Sequence, residues 1–383
     1  MQNHLKTSTL DEFLEYKTLY YDKIDFSYIK KAWSLVEQKI KLPYVIHIVG
    51  TNGKGSTGRF LATYLHRKSY KVLHYSSPHI IKFNERVWKN GDNIDNKSLQ
   101  YAHKFLQNCL DKKLLKILTY FEYTTLLALY LSKDVDYLIL EAGLGGEFDA
   151  TNVVKNQISL VTTIGLDHQE FLGESIEEIA TTKMRSCDTK MILGYQESIE
   201  VENCAKIVQK QRNIELKIVK DFEKYSFDNT LPLYLKRNLA LVTACLEELN
   251  IDIDTSYFAN TKLFGRCEKI ASNITIDVGH NPLAAKALLK EFEHKKLVLV
   301  YNSFFNKDYK KVLTILKPII KAVFIIEIDD KRVVEKENLL NILEELNIIN
   351  YKSLEIVDDN DYLVFGSFLV VEKFLSLIGF NEK

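Results

Sequence analysis

Nowhere in the sequence do about 18 apolar residues follow one another, the length that a membrane-crossing helix demands. The opening MQNHLKTSTLDEFLEY sets charges where the apolar core of a secretory leader would lie, so an unprocessed chain is expected. An excess of one charge is missing too, since 51 Lys and Arg face 51 Asp and Glu. A balanced surface has no field to gather nucleic acid or an anionic membrane, so neither is expected as a partner and any anion must be bound locally. Cysteine is sparse and scattered. Cys109, Cys187, Cys204, Cys245 and Cys267 form no CxxC pair, which excludes a zinc knuckle or disulfide framework and fits a reducing, cytoplasmic setting. Repeats and low-complexity stretches are absent, and with only 15 Gly and 5 Pro the few glycine clusters point to where chemistry should be sought.

A chain of 383 residues is long enough for two domains, each with its own core. Short β-branched runs at Tyr44 to Val49, Val72 to Tyr75, Tyr137 to Leu140, Ile158 to Thr163 and Met191 to Leu193 alternate with helical patterns, which predicts a parallel sheet. The pattern restarts near Ile274, with strands at 274–277, 297–301 and 323–328, helices at 283–293 and 308–320, and a last strand–helix pair from Tyr362 to Leu377. The boundary is expected in the stretch Thr255 to Gly265, giving domains at 1–262 and 263–383. The fold class is therefore α/β: an N-terminal parallel-sheet domain with a phosphate loop, and a smaller, Rossmann-like C-terminal α/β domain.

The glycine cluster in VIHIVGTNGKGSTGRFLATYL lies between a strand and an amphipathic helix, the context that a phosphate-binding loop requires. Gly50, Gly53 and Gly55 let backbone N–H groups approach phosphate oxygens, and Thr51 and Asn52 lie between them. Lys54 supplies a cation, while Ser56 and Thr57 open a helix whose N-terminus favours anions. An ordinary Gly-rich turn would not gather three glycines, a lysine and two hydroxyls within eight residues. The loop departs from GxxxxGK[ST], because Gly55 separates Lys54 from Ser56.

Other candidates stand at strand ends, where open α/β sheets bind ligands. Glu141 ends the strand in DYLILEAGLGG and offers a hard oxygen suited to Mg²⁺, though taken alone it is equally a solvated strand end. Asp167 and His168 follow the strand in ISLVTTIGLDHQEFLG, and the Ser76-Ser77-Pro78 turn follows VLHY. Asn238 lies among the apolar positions of a helix at 235–249 and must find a partner there or stay at a surface.

GTNGKGST, TYFE, LEAGLGGEFDATN, ESIEEIATTKMRSC, FGRCEKI and ITIDVGHNPLAAKALL follow one another as in the folylpolyglutamate synthase and dihydrofolate synthase family of the Mur ligase superfamily, which the sequence resembles over nearly its whole length. The resemblance implies that the loop binds ATP, that Ser76, Glu141 and His168 hold Mg²⁺, and that Asn238 contacts the adenine side. It makes Thr119, Tyr120, Phe121, Glu122, Phe148, Asp149 and Ala150 the pterin pocket, with Phe121 stacking on the heterocycle. Lys183 would be carbamylated and would help organise the metal site. Arg266 would meet phosphate oxygens, Asp277 the ribose hydroxyls and His280 the transferring phosphate, so that Lys54, His168, Lys183 and His280 form the catalytic set. Two Mg²⁺ ions, with K⁺ as a further candidate cation, and a monomer complete the picture. Glu147 stands where relatives commonly carry arginine; Met184 and Arg185 replace small residues, and Phe264 and Gly279 replace Pro and Ala.

The activity so implied is ATP-dependent amide formation between L-glutamate and the carboxylate of dihydropteroate, or of a reduced folate already bearing glutamate, through an acyl phosphate. A ligase confined to one of these two substrates shares the same motifs. A cell-wall amino-acid ligase of the superfamily is the nearest rival, but only about 43 residues precede the first strand, too few for the UDP-sugar domain. A guanine-reading switch lacks its motif here, because Asn306-Lys307-Asp308 omits the residue that NKxD requires. A sensor that binds without turnover would not need so many metal-type residues.

Overall fold

The computed structural model describes residues 9–18, 25–220, 225–228 and 230–380. The chain divides into two units, Met1–Asp228 with Lys236–Thr261, and Asn229–Leu235 with Lys262–Lys383.

In the first unit the apolar runs become an eight-stranded sheet. Its strands are β1 (Tyr44–Val49), β2 (Val72–Tyr75), β3 (Val87–Lys89), β4 (Asp92–Asn93), β5 (Tyr137–Glu141), β6 (Ile158–Val161), β7 (Lys190–Leu193) and β8 (Glu215–Ile218), in the spatial order β4-β3-β2-β5-β1-β6-β7-β8. Strands β2, β5, β1, β6, β7 and β8 run parallel, and β3 and β4 fold back antiparallel at one edge. Near-continuous burial along β1, β2, β5 and β6 is what a sheet covered on both faces demands. One face packs against a cluster that includes Phe13, Tyr123 and Leu127, and another cluster gathers Val161, Ile179 and Met191.

Chain order reverses around β1: the chain passes to β2 on one side, inserts β5 between them, and places β6 on the other side. The crevice beyond the carboxyl ends of β5, β1 and β6 is therefore the expected ligand position.

The second unit carries β9 (Glu268–Ala271), β10 (Ile274–Asp277), β11 (Leu297–Tyr301), β12 (Ile320–Ile325), β13 (Asn350–Tyr351) and β14 (Asp361–Phe365), ordered β13-β12-β11-β14-β10-β9. All pairs are parallel except β9 with β10. The core joins Leu288, Tyr301, Leu313, Val323 and Phe365.

Three elements differ in their bounds from the sequence expectation. The helix predicted to reach residue 320 ends at Leu316, and Pro318 lies in a short 3₁₀ turn before β12 opens at Ile320, earlier than the expected 323. Proline has no N–H to continue the ladder, so the chain turns there. Strand β6 stops at Val161 rather than Thr163, because Thr162 and Thr163 turn to brace the glycine loop that follows β1.

Candidate active site

Strand β1 delivers the glycine loop. Gly50 has φ +146°, and a Cβ there would lie 1.9 Å from Thr162 Oγ1; Gly53 has φ +91°, and its Cβ would lie 2.7 Å from Asn238 Oδ1. Neither position tolerates a side chain. The N–H groups of Thr51 and Asn52 both donate to Thr163 O, at 3.0 and 3.1 Å. Thr51 Oγ1 donates to Gly165 O and accepts from Gly165 N, both at 3.0 Å, so β6's continuation grips the loop from two sides. Lys54 opens the helix Lys54–Arg67, and its ammonium curls back over the loop to donate to Gly50 O at 3.2 Å and Thr51 O at 3.3 Å. Those carbonyl contacts are exchangeable, and an arriving phosphate would compete for the same cation.

Asn238 finds its partner here. Its Nδ2 donates to Ser56 Oγ at 2.8 Å, while Ser56 Oγ donates to Gly53 O at 3.1 Å. Gly55 lies in the first turn of the helix, and Thr57 follows with its hydroxyl buried and without a hydrogen-bond partner among the described residues. Gly50→Ala is expected to strain the loop by about 1–3 kcal/mol and to raise the ATP concentration needed for half-saturation. Urea unfolding and nucleotide titration of the purified variant measure the two effects.

The sheet order β2-β5-β1-β6 sets four carboxyl ends side by side. Ser76 follows β2 and donates its N–H to Arg86 O at 2.9 Å. Glu141 closes β5, in register with Ile48 of β1, and is only 4% exposed. His168 follows β6 in the left-handed conformation, φ +53°, ahead of the short helix Gln169–Leu172, and its N–H donates to Asp167 Oδ1 at 2.9 Å. Among the described residues no three or more His, Cys, Asp or Glu side chains cluster as a metal cage. A buried carboxylate at a strand end, with a hydroxyl residue and a histidine following the ends of other parallel strands of the same sheet, is a donor chemistry that fits Mg²⁺, which keeps several waters and takes its other oxygens from substrate phosphates.

Lys183 is buried on the helix Ile176–Met184. The loop that follows Glu141 lies directly on this helix: Glu147 N donates to Thr182 O at 2.9 Å, and a Cβ at Gly146 would lie 2.4 Å from Lys183 O. Glu147 and Arg185 meet each other, with Arg185 Nη1 at 3.7 Å from Glu147 Oε2. At that distance and partial exposure the pair contributes little stability.

Thr119 caps the helix Tyr120–Leu131, and Glu122 completes the capping box by accepting from Thr119 N at 2.8 Å and Thr119 Oγ1 at 2.9 Å. Burial pushes the Glu122 carboxyl up, opposed by those hydrogen bonds. The Tyr120 ring lies under the Arg86 guanidinium at 5.1 Å. The Phe121 ring stacks on Tyr75 at 5.8 Å, and its edge fills the space above Gly143. Phe148 is 54% exposed, while Ala150 is buried.

Asp149 is also buried, and its oxygens accept from Leu144 N at 2.7 Å, Thr151 N at 2.9 Å and Thr151 Oγ1 at 2.5 Å. Burial pushes its carboxyl up against these bonds. Thr151 Oγ1 in turn meets His47 Nε2 at 2.8 Å, which ties the loop to β1. Asp149 thus shapes the loop around Phe148 and Ala150.

Within the second unit Asp277 ends β10. Its oxygens accept from Gly279 N at 2.7 Å, Cys267 N at 2.9 Å and Tyr234 Oη at 3.3 Å. Burial pushes its carboxyl up, and the positive charge of Arg266 opposes the shift. The Arg266 guanidinium lies over Phe368 at 5.2 Å. His280 Nδ1 lies 3.4 Å from Val278 O. Phe264 stacks on Phe380 at 6.3 Å, and a Cβ at Gly279 would lie 2.7 Å from both Ala284 Cβ and Phe365 Cε2, so an alanine does not fit this packing.

Sequence reasoning missed Thr162 and Thr163, which brace the loop, and Gln196, whose side chain accepts from Ile164 N at 2.9 Å and donates to Thr162 O at 3.1 Å. Their only signal was position, just past the ends of β6 and β7.

The chain resembles known proteins in sequence and in fold. Residues 48–266 match the Mur ligase middle domain. The dihydrofolate synthase/folylpolyglutamate synthase of Buchnera aphidicola subsp. Baizongia pistaciae is 30% identical, over 95% of this chain and 96% of that one. The crystal structure of Helicobacter pylori folylpolyglutamate synthetase is 38% identical with a TM-score of 0.76, covering 97% of this chain and 98% of that one. E. coli FolC in complex with DHPP and ADP is 27% identical with a TM-score of 0.83, covering 98% of both chains.

Proposed function

The chain belongs to the Mur ligase family, in its dihydrofolate synthase/folylpolyglutamate synthase group, and from that premise we propose a two-substrate, ATP-dependent glutamate ligase. It adds L-glutamate to dihydropteroate and to the glutamate tail of reduced folates. The observation that carries this reading is the row of carboxyl ends β2-β5-β1-β6, which lines up Ser76, Glu141, the Gly50–Thr57 loop and the His168 turn.

The substrate carboxylate attacks the γ-phosphorus of ATP, forming an acyl C–O–P link as the bond to ADP breaks. The amine of L-glutamate then attacks the acyl carbon, phosphate leaves, and the amine gives up a proton. In the first step two anions approach; at about 4 Å one pair of unit charges repels by roughly 4 kcal/mol at an effective dielectric near 20. Left alone, that repulsion would slow the step by about a thousandfold. Lys54 is the cation of the loop placed to offset it. Ser76, Glu141 and His168 would hold Mg²⁺, which supplies further positive charge at the phosphate oxygens.

The family resemblance supports two such ions, with K⁺ as an additional cation, and a carbamylated Lys183; the burial of that lysine on the helix beneath the Glu141 loop favours the last point. All five cysteines are free, and no helix among the described residues is long and apolar enough to cross a membrane; the reading of the enzyme as a cytoplasmic monomer comes from the family resemblance.

An oxygen-transfer experiment tests the chemistry. With ¹⁸O in the pterin carboxylate, one labelled oxygen is expected in the released phosphate. Unlabelled phosphate accompanied by amide product would contradict the acyl phosphate.

A further inference from the structure

Lys17 is a buried cation outside every motif that the function uses. It follows the helix Leu10–Glu15, is 8% exposed, and donates from Nζ to Leu118 O at 2.8 Å and to Leu115 O. Those carbonyls end the helix Lys112–Ile117, where orphan acceptors and the helix dipole favour a positive charge. The ammonium also lies 4.7 Å from the centre of the Phe13 ring and 5.6 Å from that of Tyr123. The next residue continues the grip, since Thr18 O accepts from Tyr120 N at 3.0 Å. Leu118 leads directly into Thr119, so the lysine and its neighbour hold both chain segments that meet at the turn Thr119–Glu122.

We propose that Lys17 is a positioning residue for the pterin-contacting turn, its ammonium fixing Thr119–Glu122 for the substrate through the Leu115 and Leu118 carbonyls and the charge of Glu122. The proposal rests on the reading of that turn as part of the pterin pocket. Lys17 touches no substrate; it acts through the backbone that presents Tyr120 and Phe121. An apolar side chain would leave the two carbonyls without this donor, and loss of the charge would leave Glu122 without this counter-charge.

The surroundings make this clamp sensitive to pH. Burial pushes the Lys17 amine down from 10.5 to about 8, with Glu122 opposing the shift. The titratable groups facing it are Glu122 and Tyr123 from the helix Tyr120–Leu131, and His103 from the helix Asn96–Cys109, whose Nδ1 meets Tyr123 Oη at 2.8 Å; Asp25 acts on Glu122 in turn. Burial pushes the Tyr123 hydroxyl far up, so it stays neutral throughout this range. Between about 8 and 10.5 the unfolded chain holds a proton on Lys17 that the folded chain has released, so this group's contribution to stability rises with pH. The clamp loosens over the same window. The stability contribution of Lys17 and the substrate affinity therefore move in opposite directions, which a purely structural lysine would not produce.

The test compares wild type, Lys17→Met, Lys17→Arg and Phe121→Ala, each checked by circular dichroism. Near neutral pH, Lys17→Met is expected to raise KM for dihydropteroate by about tenfold and leave KM for ATP unchanged, with Lys17→Arg near wild type. Raising the pH to about 9.5 should bring wild type toward the Met variant while the Arg variant, whose charge persists, stays behind. The wild-type to Arg ratio of KM cancels titration of the substrates and holds even if the Met variant folds poorly. A ratio that stays flat across this range overturns the clamp. If Phe121→Ala raises the pterin KM in that case, only the Lys17 proposal falls; if it does not, the pocket reading falls with it.

Discussion

Lys54→Ala is expected to lower turnover by about a thousandfold, the factor that corresponds to one uncompensated charge pair at the first chemical step. The variant should fold normally, because the ammonium's partners in the structure are only the loop carbonyls Gly50 O and Thr51 O, at the long distances of 3.2 and 3.3 Å. The bracing of the loop does not depend on it either: Thr51 and Asn52 remain bonded to Thr163 O, and Ser56 to Gly53 O. Single-turnover trapping of the acyl phosphate separates the step concerned from product release. Retention of wild-type acyl phosphate formation would remove Lys54 from the mechanism.

Glu141→Ala should cost about 10²–10³ in turnover at saturating ATP, the usual effect of deleting one group that stabilises developing charge. It should also shift half-activation to higher Mg²⁺ concentration. Strand β5 is paired on both sides, with β1 and with β2, so the loss of its terminal side chain leaves the ladder intact. A Mg²⁺ titration of activity, with thermal unfolding as control, reads both effects. An unchanged Mg²⁺ dependence would show that Glu141 is not a metal ligand.

Much of this fold could be read in the sequence because its strands are short β-branched runs buried on both faces. Tyr44–Val49 and Val72–Tyr75 fall at the predicted positions. Edge elements were illegible for a physical reason: β4 is two exposed polar residues, and β13 is two half-buried ones, so neither carries an apolar pattern. The glycine loop was legible because a turn that needs positive φ at Gly50 and Gly53 has a composition that is rare in so glycine-poor a chain.

Side-chain allegiance was harder to read. Asp149 and Glu122 were expected in the pterin pocket from the resemblance alone, and the sequence did not show that each carboxylate is also engaged by its own segment, as the clasp of a loop and of a helix start. Lys17 gave no signal at all. A lone lysine at the end of an amphipathic stretch reads as solvated, and its burial depends on carbonyls about a hundred residues away, which only the folded chain brings within reach.

The most direct test of the account is ADP release by the purified protein with ATP, Mg²⁺ and L-glutamate, adding dihydropteroate in one reaction and tetrahydrofolate in the other, with products identified by mass. Glutamate-dependent ADP release with both, each product heavier by one glutamate residue, is the predicted result; ADP release with neither would contradict the assignment of a folate-type ligase.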